Sequence, residues 1–300
     1  MIHRYKAFNS TVDSALHFPE LRECIKNDAP ADVQITYGEI PVNGLDFSLK
    51  SSPFFQANQY SFWMNIPKVA RFLVKDGQHI IIDPCSNAEE TTLRIFTLES
   101  CFKALLSQQN YLVLEGSAIQ MGAFAVLFLA PSGFGKSTLA SMFLKRGYSV
   151  LTDEICAIDQ NLCLHPSFPV INLWANIAEQ VEIDSTSLKT MRSTVKKYRL
   201  DLHREAELAP LPIKLIYTLN YHKNDSLVLS DISANPRLNP LINGSITPPG
   251  LFQSTKALAD SVPTVNLTLP RWDYGMNQLG YLLTPLLDTI ERDVKTRILA

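Results

Sequence analysis

AFAVLFLAPSGFGKSTLASMFLKRGYSVLTDEICAID, residues Ala123 to Asp159, is the stretch on which the fold turns. Its first eight residues, Ala123 to Ala130, form an unbroken apolar run that reads as a buried strand. Ala130-Pro-Ser-Gly-Phe-Gly-Lys-Ser-Thr138 follows, and fits GxxxxGK[ST] with alanine at the first glycine position. A helix is expected from Lys136 to about Arg146, stopped by Gly147 as a C-terminal cap. Strand, glycine loop and helix in that order are what a phosphate cradle needs. Gly133 and Gly135 permit the backbone angles that turn successive N–H groups inward, and the helix N-terminus adds a partial positive charge. Lys136 is placed to reach β- and γ-phosphates and the Ser137 hydroxyl to ligate Mg²⁺, with Ser132, Phe134 and Thr138 completing the nucleotide-binding set. Alanine at position 130 is tolerable where the turn keeps φ negative.

Downstream, Ser149 to Thr152 reads as a strand ending on Asp153-Glu154, only 17 residues after Lys136. One helix and one tight turn separate them, so both carboxylates should return beside the loop. There Asp153 and Glu154 would hold Mg²⁺ directly or through water, and a carboxylate would accept the proton of an attacking hydroxyl. Upstream, Tyr111 to Gly116 (YLVLEG) reads as a further strand.

The remainder of the 300 residues sets the frame. Apolar residues make up 46% and charged residues 19%, enough core-forming material to exclude a disordered or collagenous chain. Net charge is −2, which argues against a general nucleic-acid binder. The five cysteines are odd in number and none lies in a CxxC pair, so buried free thiols are expected rather than a disulfide framework. The start, MIHRYKAFNS, has no apolar targeting core, and no run approaches the roughly twenty residues of a membrane helix. A cytoplasmic protein without membrane or nucleic-acid partners is the expectation.

Two domains are expected, 1–106 and 107–300. The first is mixed and β-rich: Asp32 to Thr36 alternates, and Ala70–Val74, Asp76-Gly77 and His79–Ile82 spell a hairpin, since Asp-Gly supplies positive φ. A helix over Asn87 to Leu106 bridges to the second. In the second, Lys189, Arg192, Lys196, Arg199 and His203 recur at spacings of three and four. As a helix they would form a cationic stripe; as a loop they would close over phosphates; the alternation of Leu200 and Leu202 equally allows a strand. Lys197, Arg199 and His165 are the candidate substrate contacts. The C-terminal helix is expected over Asn277 to Ile298, kinked or restarted at Pro285.

Leu114 to Asp159 also resembles the core of the HPr kinase/phosphorylase family, and most the shorter HPr-kinase-related proteins, some of which sit in lasso-peptide biosynthesis clusters. Tyr5-Lys-Ala-Phe, Ala70-Arg-Phe-Leu-Val-Lys-Asp-Gly77, His165-Pro-Ser-Phe-Pro-Val-Ile-Asn-Leu-Trp174 and Val262-Pro-Thr-Val extend the likeness over most of the chain. The resemblance implies a mixed α/β core related to phosphoenolpyruvate carboxykinase, not a doubly wound nucleotide fold. It further implies ATP- and Mg²⁺-dependent phosphate transfer to a serine hydroxyl of a peptide or small protein in a bacterial cell, and a homo-oligomeric relative. Asp153 matches the acid proposed to take the hydroxyl proton, and Glu154 the second acid, which is usually Asp. Glu115 stands where the family carries histidine, and serves either as a polar partner in the site or as a mark of altered chemistry. Val170 and Asn172 replace residues that are often basic. The Arg-Gly-rich signature of true HPr kinases is absent, which argues against HPr as acceptor. A small-molecule kinase and a catalytically silent ATP-binding module are the other two readings.

Overall fold

The computed structural model describes residues 1–24, 29–168, 170–174, 188–192, 195–202, 209–222, 228–231, 251–270 and 279–299. Its architecture is mixed α/β. Nine strands form the first sheet: β1 (His3–Ala7), β2 (Ser10–Ser14), β3 (Arg22–Glu23), β4 (Val33–Tyr37), β5 (Lys50–Ser51), β6 (Phe55–Ala57), β7 (Ser61–Ile66), β8 (Ala70–Lys75) and β9 (His79–Pro84). Their spatial order is β3-β1-β2-β4-β9-β8-β7-β6-β5. Alternation decides which face is covered: Ala70, Phe72 and Val74 on β8 and Ile80 and Ile82 on β9 are buried. The expected hairpin is present, with Asp76 and Gly77 both at positive φ (57° and 65°) and Gln78 N–H donating to Lys75 O at 3.1 Å.

A long helix covers that face. It runs as α1 (Glu90–Phe96), a π turn (Thr97–Cys101) and α2 (Phe102–Gln108). Leu93 and Leu98 are five residues apart, one more than an α turn accommodates. The π turn absorbs the extra residue, so that Leu93, Leu98, Phe102 and Leu105 all reach the same core. Thr97 Oγ1 donates to Leu93 O (2.8 Å) inside the widened turn.

The second sheet holds β10 (Leu112–Met121), β11 (Phe124–Leu129), β12 (Val150–Ile158), β13 (Cys163–His165), β17 (Leu211–His222), β18 (Val228–Asp231) and β19 (Thr264–Pro270), ordered β11-β10-β12-β13-β17-β19-β18. An added parallel pairing of β11 with β17 closes the first part of this ladder on itself. Helices cover both faces, which is why the central strands read as continuous apolar runs rather than alternating ones. Leu139 and Phe143 of α3 (Lys136–Lys145) and Leu286, Ile290 and Val294 of α5 (Leu279–Leu299) pack on Phe128 and Tyr217. Leu258 of α4 (Leu251–Ser261) packs on the other side against Leu127 and Ile216. Gly147 ends α3 as expected, at φ 87°, with Tyr148 N–H donating to Phe143 O.

A third sheet, β14 (Val170–Trp174), β16 (Val195–Asp201) and β15 (Leu188–Arg192), pairs in the order β14-β16-β15. This corrects two of the readings of the basic stretch: residues 188–192 and 195–201 are antiparallel strands, with Lys189 opposite Arg199, not a helix or a closing loop. Spacings of three and four had suggested a helical stripe, but β-branched Thr and Val and the alternation around Leu200 favour the strand. His203 and Arg204 lie outside the described residues. A second correction concerns β12, which does not end on Asp153-Glu154 but continues to Ile158. Glu154 adopts φ 75° within the strand, and the ladder to β10 holds through it, with Gly116 opposite Glu154 and Ser117 opposite Asp153. Among the described residues no helix is long and apolar enough to cross a membrane.

Candidate active site

The glycine loop lies between β11 and α3. Gly133 and Gly135 take φ of 86° and 79°, the left-handed region where an L side chain is strained, and Gly135 is the residue on which α3 begins. Ser132 and Gly133 are exposed, Phe134 packs partly against the core beneath α3, and Thr138 lies in the first helical turn. Free backbone N–H groups of that first turn and the helix dipole together favour an anion in front of the loop. Lys136 is buried, and its Nζ donates to Ala130 O (2.8 Å), Pro131 O (3.1 Å) and Glu115 Oε1 (3.3 Å). All three ammonium protons are thus satisfied across the mouth of the loop.

Two strands bring the acids to it. Glu115 and Ser117 are two apart on β10 and project to the same side, toward the loop. Gly116 between them faces the other way, where a Cβ would sit 2.6 Å from Leu129 Cδ2, 2.9 Å from Phe128 O and 3.0 Å from Cys156 Sγ. Opposite Ser117, Asp153 is buried and accepts three hydrogen bonds. Ser117 Oγ (2.6 Å) and Ser137 Oγ (2.9 Å) donate to its Oδ1, and Asn172 N–H (3.1 Å) donates to its Oδ2. Burial, with the Glu154 carboxylate adding to it, pushes the Asp153 carboxyl up to about 6, against the three hydrogen bonds that favour its ionised form. That value suits a group which must be ionised near neutrality yet able to take a proton.

Ser137, Asp153, Lys136 and Glu115 therefore converge, and Glu154 follows on the same strand. Arg199 is held elsewhere, its Nη1 on Glu20 Oε1 (2.5 Å) and its Nε on Asp201 Oδ1 (2.8 Å). His165 is not brought to the loop: its Nε2 lies 3.0 Å from Asp159 Oδ2, and its ring meets Tyr111 edge to face at 5.0 Å. For Lys197 the described feature is its backbone, opposite Trp174 in the β14–β16 ladder.

Three contributors were not singled out from sequence, and a fourth, Asn172, stood out only as a replacement for an often basic residue. Ser117 is one, although a polar pair two apart in an otherwise apolar strand was a usable sign. Asn172 acts through its main chain, which carries no side-chain signal. Glu20 and Arg94 reach the site from the β2–β3 connection and from α1, with Arg94 Nε on Glu20 Oε1 at 3.2 Å. These two help to line a cavity of about 370 Å³ that also includes Asp153, Glu154, Asn172 and Arg199 but no residue of the glycine loop.

No family model matches the chain, and no curated protein does. Among solved structures, the Hpr(Ser) kinase/phosphatase from Coxiella burnetii overlaps 61% of this chain and 99% of its own, at 12% identity and a TM-score of 0.31.

Proposed function

We propose that the chain is a phosphotransferase of the HPr-kinase type that moves the γ-phosphate of ATP to a hydroxyl, with a serine of a peptide or small protein, as in lasso-peptide clusters, as the first acceptor to test. The observation that carries this reading is the position of Asp153. One carboxylate is hydrogen-bonded by Ser137 at the start of the helix that leaves the glycine loop and also lines a cavity that the loop does not enter.

The loop N–H groups and Lys136 would hold the β- and γ-phosphates, the ammonium leaving its carbonyl and Glu115 partners for the triphosphate. The Ser137 hydroxyl and the Asp153 carboxylate, with Glu154 alongside, are hard oxygen donors that fit Mg²⁺. When bound, the ion neutralises charge on the phosphates. Asp153 would accept the acceptor's hydroxyl proton as the new O–P bond forms and the bond from Pγ to the bridging oxygen breaks, its electrons leaving with ADP. Asn172 N–H and the Ser117 hydroxyl fix the orientation of that carboxylate.

The test is incubation of the protein with Mg-ATP and hydroxyl acceptors, read by intact mass. The expected gain of one phosphate disappears in Lys136→Ala and in Asp153→Asn, while Asp153→Asn still binds nucleotide. Normal turnover by Asp153→Asn would remove the base assignment.

A further inference from the structure

Away from the glycine loop, the fold gathers three metal-ligating side chains that are scattered along the sequence: His3, His17 and Glu23. His3 lies on β1 and Glu23 on β3. Glu23 is paired with Tyr5, which makes His3 and Glu23 diagonal neighbours on one face of the sheet. His17 comes from the β2–β3 connection, between two buried residues, Leu16 and Phe18. Its place is fixed by the backbone on either side. Ser14 Oγ donates to Leu16 O (2.7 Å) and accepts the Leu16 N–H (3.0 Å), and the Phe18 N–H donates to the hydroxyl of buried Tyr5 (2.9 Å). The same Tyr5 ring stacks alongside that of His3, with centroids 6.1 Å apart.

His3 Nδ1 lies 3.6 Å from Glu23 Oε1, and His17 Nε2 lies 4.0 Å from the same oxygen. The ligand atoms of all three residues lie within 4.8 Å of one another. The two contacts to Glu23 are too long for hydrogen bonds. They are close to the roughly 3.4 Å that separates neighbouring ligands of a tetrahedral ion with bonds of about 2.0–2.2 Å. Two imidazole nitrogens and one carboxylate oxygen are a borderline donor set, which selects a late first-row divalent ion over Mg²⁺ or Ca²⁺. The Glu23 and His17 side chains are 64% and 52% exposed and that of His3 23%, so an ion can enter from solvent and keep a water as its fourth ligand.

We propose that His3, His17 and Glu23 form a binding site for Zn²⁺, independent of the phosphotransfer reading above. An ion held there closes the loop from His17 to Glu23 and ties both of its ends to β1. Glu20 sits within that loop, and its Oε1 accepts Arg94 Nε and Arg199 Nη1 beside the Asp153 cavity. The ion is a clip on the segment that carries Glu20 and takes no part in the transfer chemistry.

The test is calorimetric titration of the chelator-treated full chain with Zn²⁺, in excess Mg²⁺ to occupy the Asp153 and Glu154 carboxylates. One Zn²⁺ should bind per chain. His3→Ala and His17→Ala should each weaken that binding by about a hundredfold, and Glu23→Gln by about tenfold or more. Cys24→Ser, which removes the thiol next to Glu23, should leave it unchanged. Co²⁺ should show the intense visible absorption of a tetrahedral site, lost in His17→Ala. Zn²⁺ should also slow hydrogen exchange by about tenfold or more across residues 15–24, where Leu21 N–H donates to Phe18 O and Cys24 N–H to Arg4 O. Zn²⁺ binding that survives both histidine changes, or that is lost in Cys24→Ser, would overturn the site. So would the absence of stoichiometric binding, which would leave the three side chains as an ion pair of protonated histidine with Glu23. Binding at these residues without slower exchange would overturn the clip.

Discussion

Substituting Asp153 by Asn should make the metal-free protein less dependent on pH, and the size of the effect follows from the site. The carboxyl is raised from 3.8 to about 6, by burial first and by Glu154 second. A group whose folded pKa lies above its unfolded value contributes stability that is complete below the unfolded pKa and lost as pH rises through the folded one. The window is therefore 3.8 to about 6, and the wild-type protein carries the ionisation cost above it. Over the whole window that cost is roughly 3 kcal/mol, and between about pH 5 and about pH 8 it is on the order of 1 kcal/mol. The amide keeps an oxygen for Ser117 and Ser137 but cannot accept the Asn172 N–H, which costs about 1–3 kcal/mol at either pH. That loss cancels in the difference. Urea denaturation in a chelating buffer should thus show the variant gaining on the order of 1 kcal/mol on the wild type between about pH 5 and about pH 8. An equal effect of the substitution at both pH values, or one of opposite sign, would refute the claim that Asp153 is held at a cost.

Three further outcomes are expected. Lys136→Ala should weaken ATP binding by about ten- to a hundredfold, because a charge-assisted contact to phosphate is lost, and fluorescent-nucleotide titration would show an unchanged affinity if the loop binds something else. Glu115→Gln should tighten ATP binding by about two- to fivefold, since a half-exposed carboxylate that competes for Lys136 Nζ is neutralised. Weaker binding in that variant would instead make Glu115 a contact of the nucleotide. Gly116→Ala should cost about 1–3 kcal/mol through overpacking against Phe128 O and Cys156 Sγ, measured as a fall in melting temperature, and a neutral result would mean that the β10–β11–β12 packing yields more easily than its spacing implies.

What could be read from the sequence was whatever depends on neighbours along the chain. The run into Ala130, the two glycines, Lys136 and the Gly147 cap are local, and their backbone geometry follows from residue type. So does the Asp76-Gly77 turn. Features set by pairing across the fold were not legible. The basic stretch fitted helix and strand equally, and it took β14 and β15 on either side to settle 195–201 as a central strand. From sequence Arg199 is a candidate substrate contact in a basic stretch. Its partner Glu20 is 179 residues away, and that carboxylate reverses what the arginine means. The extension of β12 beyond Glu154 was missed because acidic residues usually close a strand, whereas here β10 pairs with the whole of it.

That reversal bears on how the site is put together. The β2–β3 connection delivers Glu20, the long helix delivers Arg94 and the π turn, the second sheet delivers Asp153, and the third delivers Asn172 and Arg199. The loop side needs none of the first sheet: Lys136, Ser137, Glu115 and Ser117 all come from β10 and the start of α3. Asp153 belongs to both halves, so its substitution cannot separate them. Ser137→Ala disturbs Asp153 from the loop side, and Ile95→Trp fills the cavity from the other. If the two halves meet only through this carboxylate, the first change should weaken nucleotide binding without altering the order of acceptor preference, and the second should impair transfer while leaving nucleotide binding intact. Holding a buried carboxylate next to Glu154 is costly to the fold.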